Sequence, residues 1–554
     1  MLIWRDRVIE LGRSFSFIGL VFAGIFFAGS VTPSLLPRAF VFQGLLSGFA
    51  IAAGYGLGVA IEMLLAFLEI PPPPEKYRGK LKVLVSVVVA ATFVLFLRQM
   101  TIWQNSLRAL MEMEPVESAY PTSTAVVAIL FGVVAVITFR ALSYCRARVA
   151  DRLRQYLPRR VAYGLSATVV GVTLFFIGNG LVARGLLAAA EAFFLRADEF
   201  IDEKISQPRS ASDCGSAESL VEWESIGRRG KDFLVGGATK GELDEFWGRE
   251  TMEPIRVYVG LRSAESRQSR ALMAVEELKR VGGFDRKVLV IATPTGTGWL
   301  DPGGVDTIEY MHGGDTAIVS MQYSYLPSWL TILVDPKRSI ESATALFDAV
   351  HRHWMTLPDE TRPKLYLHGL SLGALGSEVS APWYAILEDP PQGAVWSGPP
   401  FPSTSWATLT RGRNRTSPAW LPEFRDGSVV RFTAQRSTLD RGQRWGPLRL
   451  VYIQYASDPM VFFSPSMLYS KPEWLIGPRG PDVSPDLHWY PLVTFLKVAF
   501  DLPMATSVPV GYGHNYHARN YIEAWRTVTD PPGWDAAASE RLLQRLANQK
   551  LAKP

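Results

Sequence analysis

Five apolar segments crowd the first 200 positions of this 554-residue chain, near 15–33, 40–61, 81–98, 124–142 and 161–184. Each is long enough to cross a bilayer as a helix, which takes roughly 17–25 residues. Lipid offers backbone groups no partner, so a segment that enters it must satisfy them internally. Even the valine-rich run LKVLVSVVVAATFVLFL is therefore predicted to be helical, despite its β-branched side chains. The first segment has no small-residue cleavage site and is followed by further apolar segments, so it reads as a span and not as a removed leader. The expected organisation is a transmembrane bundle of about five helices over 1–200, followed by a second domain over 201–554.

Basic residues set the orientation. Arg5, Arg7 and Arg13 precede the first segment, while Lys76, Arg78, Lys80 and Lys82 crowd the junction of the second and third. Arg140, Arg146, Arg148, Arg152, Arg154, Arg159 and Arg160 crowd the junction of the fourth and fifth. The 99–123 loop instead carries Glu112, Glu114 and Glu117 against Arg108. Placing the basic loops in the cytoplasm puts the N-terminus inside and the C-terminal domain outside. The net charge of +5 is thereby accounted for as a topology signal, and no nucleic-acid partner is expected. The two cysteines, Cys145 and Cys214, fall on opposite sides, so no disulfide is expected. No C-x-x-C or His–Cys cluster suggests a metal, and no cofactor is called for. The GYGLG run at 54–58 would let two helices approach closely, inside one bundle or between two copies of the chain. The stretch after the fifth segment, LVARGLLAAAEAFFLRADEF, reads as a helix leaving the bilayer along its interface.

Beyond a polar stretch at 206–219, strand-like and helix-like runs alternate. Strands are expected at 255–260, 287–292, 316–325, 364–369, 393–398 and 448–457, with helices at 266–281 and 339–358. That alternation predicts an α/β domain with a mostly parallel sheet covered on both faces. In such sheets chemistry gathers at the carboxyl ends of the strands.

One such end is marked. Gly369-Leu370-Ser371-Leu372-Gly373 matches G-x-S-x-G, directly after an apolar run and before a small-residue helix start. A chance match in a chain this long is expected about one time in four, so the strand–turn–helix setting carries the weight. A serine hydroxyl needs a base to take its proton and a third group to orient that base. Of the seven histidines only His488, His514 and His517 follow Ser371. His514, in the glycine-rich VPVGYGHNYH, is the leading base, with His517 next. Asp458 leads Asp426, Asp440 and Asp482 as the acid, because it alone follows a sheet strand directly. An oxyanion would need two backbone donors. Leu372 supplies one, and Thr295 or Gly296 in TPTGTGWLDPGG is the candidate for the other. No phosphate-binding glycine motif accompanies this loop.

In combination these features resemble the bacterial integral-membrane α/β-hydrolases of family 9. SVTPSLLPR (30–38) is similar to the family's N-terminal signature, and TGTGWLDP, RPKLYLHGLSLGALGSE and YIQYASDPMVFF to its hydrolase-domain signatures. The resemblance spans nearly the whole chain. It implies a multi-span domain in the cytoplasmic membrane joined to a hydrolase domain, here on the periplasmic side. Leu370 departs from the polar residue expected beside the nucleophile. The regions 399–447 and 460–510 are rich in aromatic residues and are expected as cap insertions over an apolar pocket. A serine hydrolase acting on lipid or other acyl esters is the leading expectation. Acyl transfer by the same acyl-enzyme, or a non-catalytic scaffold on the same fold, is the alternative.

Overall fold

The computed structural model describes residues 15–71, 74–176, 183–199, 205–382 and 387–552. The chain forms two compact units. One comprises Met1–Leu187, Phe463–Ile476 and Pro481–Met504; the other comprises Ala188–Phe462, Gly477–Gly480 and Ala505–Pro554.

The first unit is helical: α1 (Phe17–Val31), α2 (Phe40–Phe67), α3 (Glu75–Leu110), α4 (Pro121–Leu153) and α5 (Arg159–Phe176), with α6 (Ala183–Glu199) running on into the second unit. Of these, α2, α3 and α4 are long and apolar enough to cross a membrane. The 15 residues of α1 span only about 22 Å at 1.5 Å per residue. The fifth expected segment is helical to Phe176, and its positions 177–182 lie outside the described residues. Packing is closest where glycines remove side chains. A Cβ on Gly58 would lie 2.6 Å from the Gly19 Cα, and one on Gly54 would lie 2.5 Å from the Phe22 carbonyl oxygen. The GYGLG face is thus occupied by α1 of the same chain. Phe27, Val31, Ala125 and Ala128 form an adjoining core against Phe93, Phe96 and Trp103.

The segments 463–476 and 481–504, expected as part of a cap, group instead with this helical unit. Their anchor is the helix Val493–Asp501, whose Val493 packs with Phe26 and Ala50.

The second unit is built on a seven-stranded sheet of order β1-β3-β2-β4-β5-β7-β6, parallel at every pairing. The strands are β1 (Ile255–Val259), β2 (Val288–Thr293), β3 (Thr316–Met321), β4 (Lys364–Leu370), β5 (Gly393–Ser397), β6 (Val430–Thr433) and β7 (Arg449–Ile453). Most strand residues are buried on both faces, which is why these strands read as unbroken apolar runs with little alternation. Helices such as Arg267–Arg280, Lys337–Trp354 and Ala518–Thr529 cover the sheet. The edge strand β6 falls inside the region 399–447 that the sequence marks only as an insertion. Four residues flanked by polar loops leave too short a run to stand out.

Candidate active site

The register of three adjacent strands aligns their carboxyl ends. Leu370 of β4 pairs with Ser397 of β5, and Ser397 pairs with Ile453 of β7. Each chain then turns out of the sheet, and the site residues lie in those turns.

Ser371 joins β4 to the helix Leu372–Ser380 with φ 59° and ψ −126°. For a residue with a Cβ this conformation costs about 1–3 kcal/mol and needs support from its surroundings. The flanking glycines permit it. A Cβ on Gly369 would run into the Gly373 carbonyl, and one on Gly373 into the Thr293 and Pro294 carbonyls. The Ser371 N–H donates to the Ser397 carbonyl at 2.9 Å, tying the turn to β5. Ser371 is 1% exposed, and its Oγ has no hydrogen-bond partner among the described residues.

His514 stands in the loop before the helix Ala518–Thr529. Its N–H donates to the Ala505 carbonyl at 2.8 Å, and the preceding Gly513 N–H donates to the Ser457 hydroxyl at 2.9 Å. Gly511 and Gly513 take positive φ to make this turn. The imidazole Nδ1 lies 2.6 Å from Asp458 Oδ2. Asp458 is fully buried after β7 and accepts two further bonds, from the Tyr516 hydroxyl at 2.6 Å and the Met460 N–H at 2.8 Å. Burial first, and the Asp458 charge second, raise the Tyr516 phenol well above its ordinary range, so it stays a donor. An ionised carboxylate can only accept, so Nδ1 of His514 must carry the proton. The lone pair then sits on Nε2, which is buried and has no hydrogen-bond partner among the described residues.

Gly398 links the serine to the histidine. It follows Ser397, whose carbonyl holds the Ser371 N–H, and a Cβ on it would lie 2.5 Å from the His514 Cε1. The ring therefore lies against the β5 turn, beside the β4 turn that carries Ser371.

Leu372 opens its helix, so its N–H is among those with no intrahelical acceptor. The Thr295 N–H is placed differently from expectation: it donates to the Trp299 carbonyl at 2.9 Å, while the Gly298 N–H returns to Thr295. The Gly296 N–H donates to the Ser328 hydroxyl. The loop closes on itself as a turn, and both candidate donors are engaged. Further along TGTGWLDP, Asp301 caps the helix Pro302–Met311 by accepting from the Gly303 N–H.

The competing candidates have other tasks. His517 caps its helix, accepting from the Arg519 N–H. His488 is exposed and bonds the Asp486 carbonyl. Asp426 holds a turn at Ser428, and Asp440 is exposed. His368, just before the serine motif, is buried with Nδ1 on the Val395 carbonyl, and burial lowers it to about 4, so it is a neutral core residue. Tyr516, Ser457 and Gly398 were missed by sequence reasoning. The aromatic spacing YGHNY was the only available signal for Tyr516.

A parallel sheet with a strained serine turn after one strand, an aspartate after another and a histidine loop behind them defines an α/β-hydrolase-type domain, here joined to an apolar helical region. Family comparison agrees. The α/β-hydrolase family model described as Abhydrolase_9 matches residues 255–542, and its N-terminal companion matches 31–238. The chain belongs to this family. No curated protein and no solved structure matches it.

Proposed function

We propose that the protein is a membrane-anchored serine hydrolase that cleaves acyl esters through Ser371, His514 and Asp458. The observation that carries this reading is the state of two atoms: the Ser371 Oγ and the His514 Nε2 are both buried at the sheet's carboxyl end without partners among the described residues. Leaving buried polar atoms unpaired costs about 1–3 kcal/mol each, and here the two are a hydroxyl and an imidazole nitrogen of complementary chemistry.

In this mechanism Nε2 takes the serine proton as Oγ attacks the ester carbonyl. Asp458, held by Tyr516 and the Met460 N–H, keeps the proton on Nδ1 and stabilises the imidazolium. The Leu372 N–H donates to the oxyanion. His514 returns its proton to the leaving alcohol, and water then releases the acid by the reverse sequence. Acyl transfer differs only in the hydroxyl that accepts the acyl group.

Lipid or lipid-like esters are the proposed substrates, and the membrane half supports this class. The aromatic residues of the expected caps argue for it less, because several are committed to packing. Trp406 donates to Gln454, and Arg431 stacks on Trp445 at 4.0 Å. The proposed topology has five spans in a cytoplasmic membrane, with the N-terminus inside and the catalytic domain in the periplasm. Labelling with a fluorophosphonate tests the chemistry: the native chain is labelled and Ser371→Ala is not. Equal labelling of the two would remove Ser371 as nucleophile, and no labelling of either would favour the scaffold.

A further inference from the structure

Helix α3 is packed into the helical unit at one end only. Its buried residues, Met100, Gln104 and Leu107, all lie in the last third, and the stretch apolar enough to cross a membrane has none. Nearer its start, α3 meets α1 at two places. The Lys82 ammonium lies 5.3 Å from the centre of the Phe17 ring, and a Cβ on Gly24 would run into Cγ1 of Val89. The two contacts are seven residues apart on both helices, so α1 and α3 run parallel here.

Beside these contacts lies a cleft of about 300 Å³, walled by Val21, Gly24 and Ile25 of α1 and by Leu84, Val85 and Val88 of α3. That volume is at the lower end of the range for ligand sites, about 300–1,000 Å³. The hydroxyl that lines it, on Thr92, donates back to the Val88 carbonyl at 2.9 Å. A cleft with no polar demand suits a hydrocarbon. Leu84 is shared with a wider, open recess of about 630 Å³ whose lining includes Gly79 and Lys80. Around this mouth the first eight residues of α3 hold Lys76, Arg78, Lys80 and Lys82 against a single acid, Glu75. None of the four basic residues pairs with a carboxylate among the described residues. From Lys80 to Thr92 the helix rises about 18 Å at 1.5 Å per residue, and one leaflet of hydrocarbon is about 15 Å thick.

We infer that the cleft between α1 and α3 is a binding site for an anionic phospholipid. One acyl chain lies along Val21, Leu84 and Val88, and the headgroup phosphate meets Arg78 and Lys80. Basic pockets between spans on the cytoplasmic side favour anionic headgroups, and the proposed topology puts the start of α3 on that side. Concavity selects a chain, and the basic turns select a charge; a flat lipid-facing helix does neither. The inference rests on α3 lying in a bilayer and not on the catalytic reading.

The test uses the full-length protein in dodecyl maltoside, titrated with dioleoyl phosphatidylglycerol or dioleoyl phosphatidylcholine. Bound lipid is counted by native mass spectrometry, and each variant is also melted. The native chain is expected to hold phosphatidylglycerol roughly tenfold more tightly or better. A basic residue near a headgroup is worth about fivefold, so Arg78→Gln and Lys80→Gln should each weaken phosphatidylglycerol by that factor and leave phosphatidylcholine unchanged. Leu84→Trp fills the cleft and should weaken both lipids by roughly tenfold, the equivalent of displacing about two methylenes. Val126→Trp, at an exposed position of α4 that does not line the cleft, should bind as the native chain does. Should Leu84→Trp fail to fold, Val21→Trp fills the same space from α1. Equal native affinity for the two lipids, or native affinity in both charge variants, overturns the inference. Equal losses in Leu84→Trp and Val126→Trp also overturn it. Displacement of phosphatidylglycerol by equimolar glycerol phosphate would make this a site for a soluble anion, and a dimer abolished by Leu84→Trp would make the occupant a second copy. Either result overturns the lipid. A chain recovered from cells without detergent overturns the site together with the membrane reading, and leaves the chemistry proposed for Ser371 standing.

Discussion

The His514 ring lies against Gly398, where a Cβ would approach Cε1 to 2.5 Å and Nδ1 to 2.9 Å. Gly398 takes φ +53°, which disfavours a side chain in any case. Gly398→Ala is therefore expected to displace the imidazole and not merely strain the turn. The labelling rate should fall roughly 100-fold, the usual consequence of a misplacement of about 1 Å. A melt of the same variant should show the turn's cost, about 1–3 kcal/mol. A variant that melts lower yet labels at the native rate would show that the ring does not depend on this contact.

Asp458 and Tyr516 act on His514 from behind. Asp458→Asn presents an amide to Nδ1 and allows the wrong tautomer, so the rate should fall by about 10⁴-fold, as it does for the equivalent change in a Ser–His–Asp protease. Tyr516→Phe removes one donor to a charged acceptor while the Met460 N–H and the imidazole remain. A loss of roughly tenfold is expected, the low end for a hydrogen bond to a charge. Burst kinetics with p-nitrophenyl butyrate would read both. A Tyr516→Phe enzyme as impaired as Asp458→Asn would mean that the phenol does more than hold the carboxylate.

Much of the hydrolase half was legible because its physics is local. Six of the strands are apolar runs bounded by turns, and the sequence placed each within a few residues of β1, β2, β3, β4, β5 and β7. β6 was not, since Val430–Thr433 draws its stability from pairing with β7 and from no pattern of its own. In the helical half, α2, α3 and α4 answer to hydropathy. The membership of 481–504 in that unit could not be read, because it depends on Arg38 meeting Asp501 across 463 positions.

The site divides in the same way. Ser371 was marked by its glycines and its preceding strand, both adjacent in sequence. Asp458 and His514 were chosen by loop context and chain order, and the structure brings their side chains to 2.6 Å. The second oxyanion donor was not legible. Whether the Thr295 N–H is free depends on how TPTGTGW folds on itself, and the turn that consumes it leaves no mark beyond the glycines already noted.

Lys497 gives a pH-dependent prediction. Burial, and then the neighbouring Arg38 charge, lower its ammonium from 10.5 to about 7. Between these values the unfolded chain binds the proton and the folded chain releases it, so stability rises with pH across about 7 to 10.5. Below that window the penalty for a buried charge is full. Lys497→Met removes it, and Thr32 stays satisfied because its hydroxyl already donates to the Gly29 carbonyl. The variant should melt higher than the native protein at pH 7, with a gain in stability of at most about 5 kcal/mol at 1.4 kcal/mol per unit. The two melting temperatures should converge towards pH 10, and a constant gap would rule out titration of Lys497 as the cause.

Cysteine labelling checks the orientation. Cys214 is buried, and burial pushes its thiol up to about 12, which leaves it unreactive near neutral pH. Cys145 is exposed, at the end of α4 among the arginines that the charge bias assigns to the cytoplasm. A membrane-impermeant maleimide should therefore leave the native protein unlabelled in intact cells and label it at one site once the membrane is opened. The Ser212→Cys variant, altered at an exposed position two residues before Cys214, should be labelled in intact cells. The reverse pattern, with Cys145 reached from outside and the thiol of Ser212→Cys protected, would place the hydrolase domain in the cytoplasm. It would also turn the search for substrates towards esters made there.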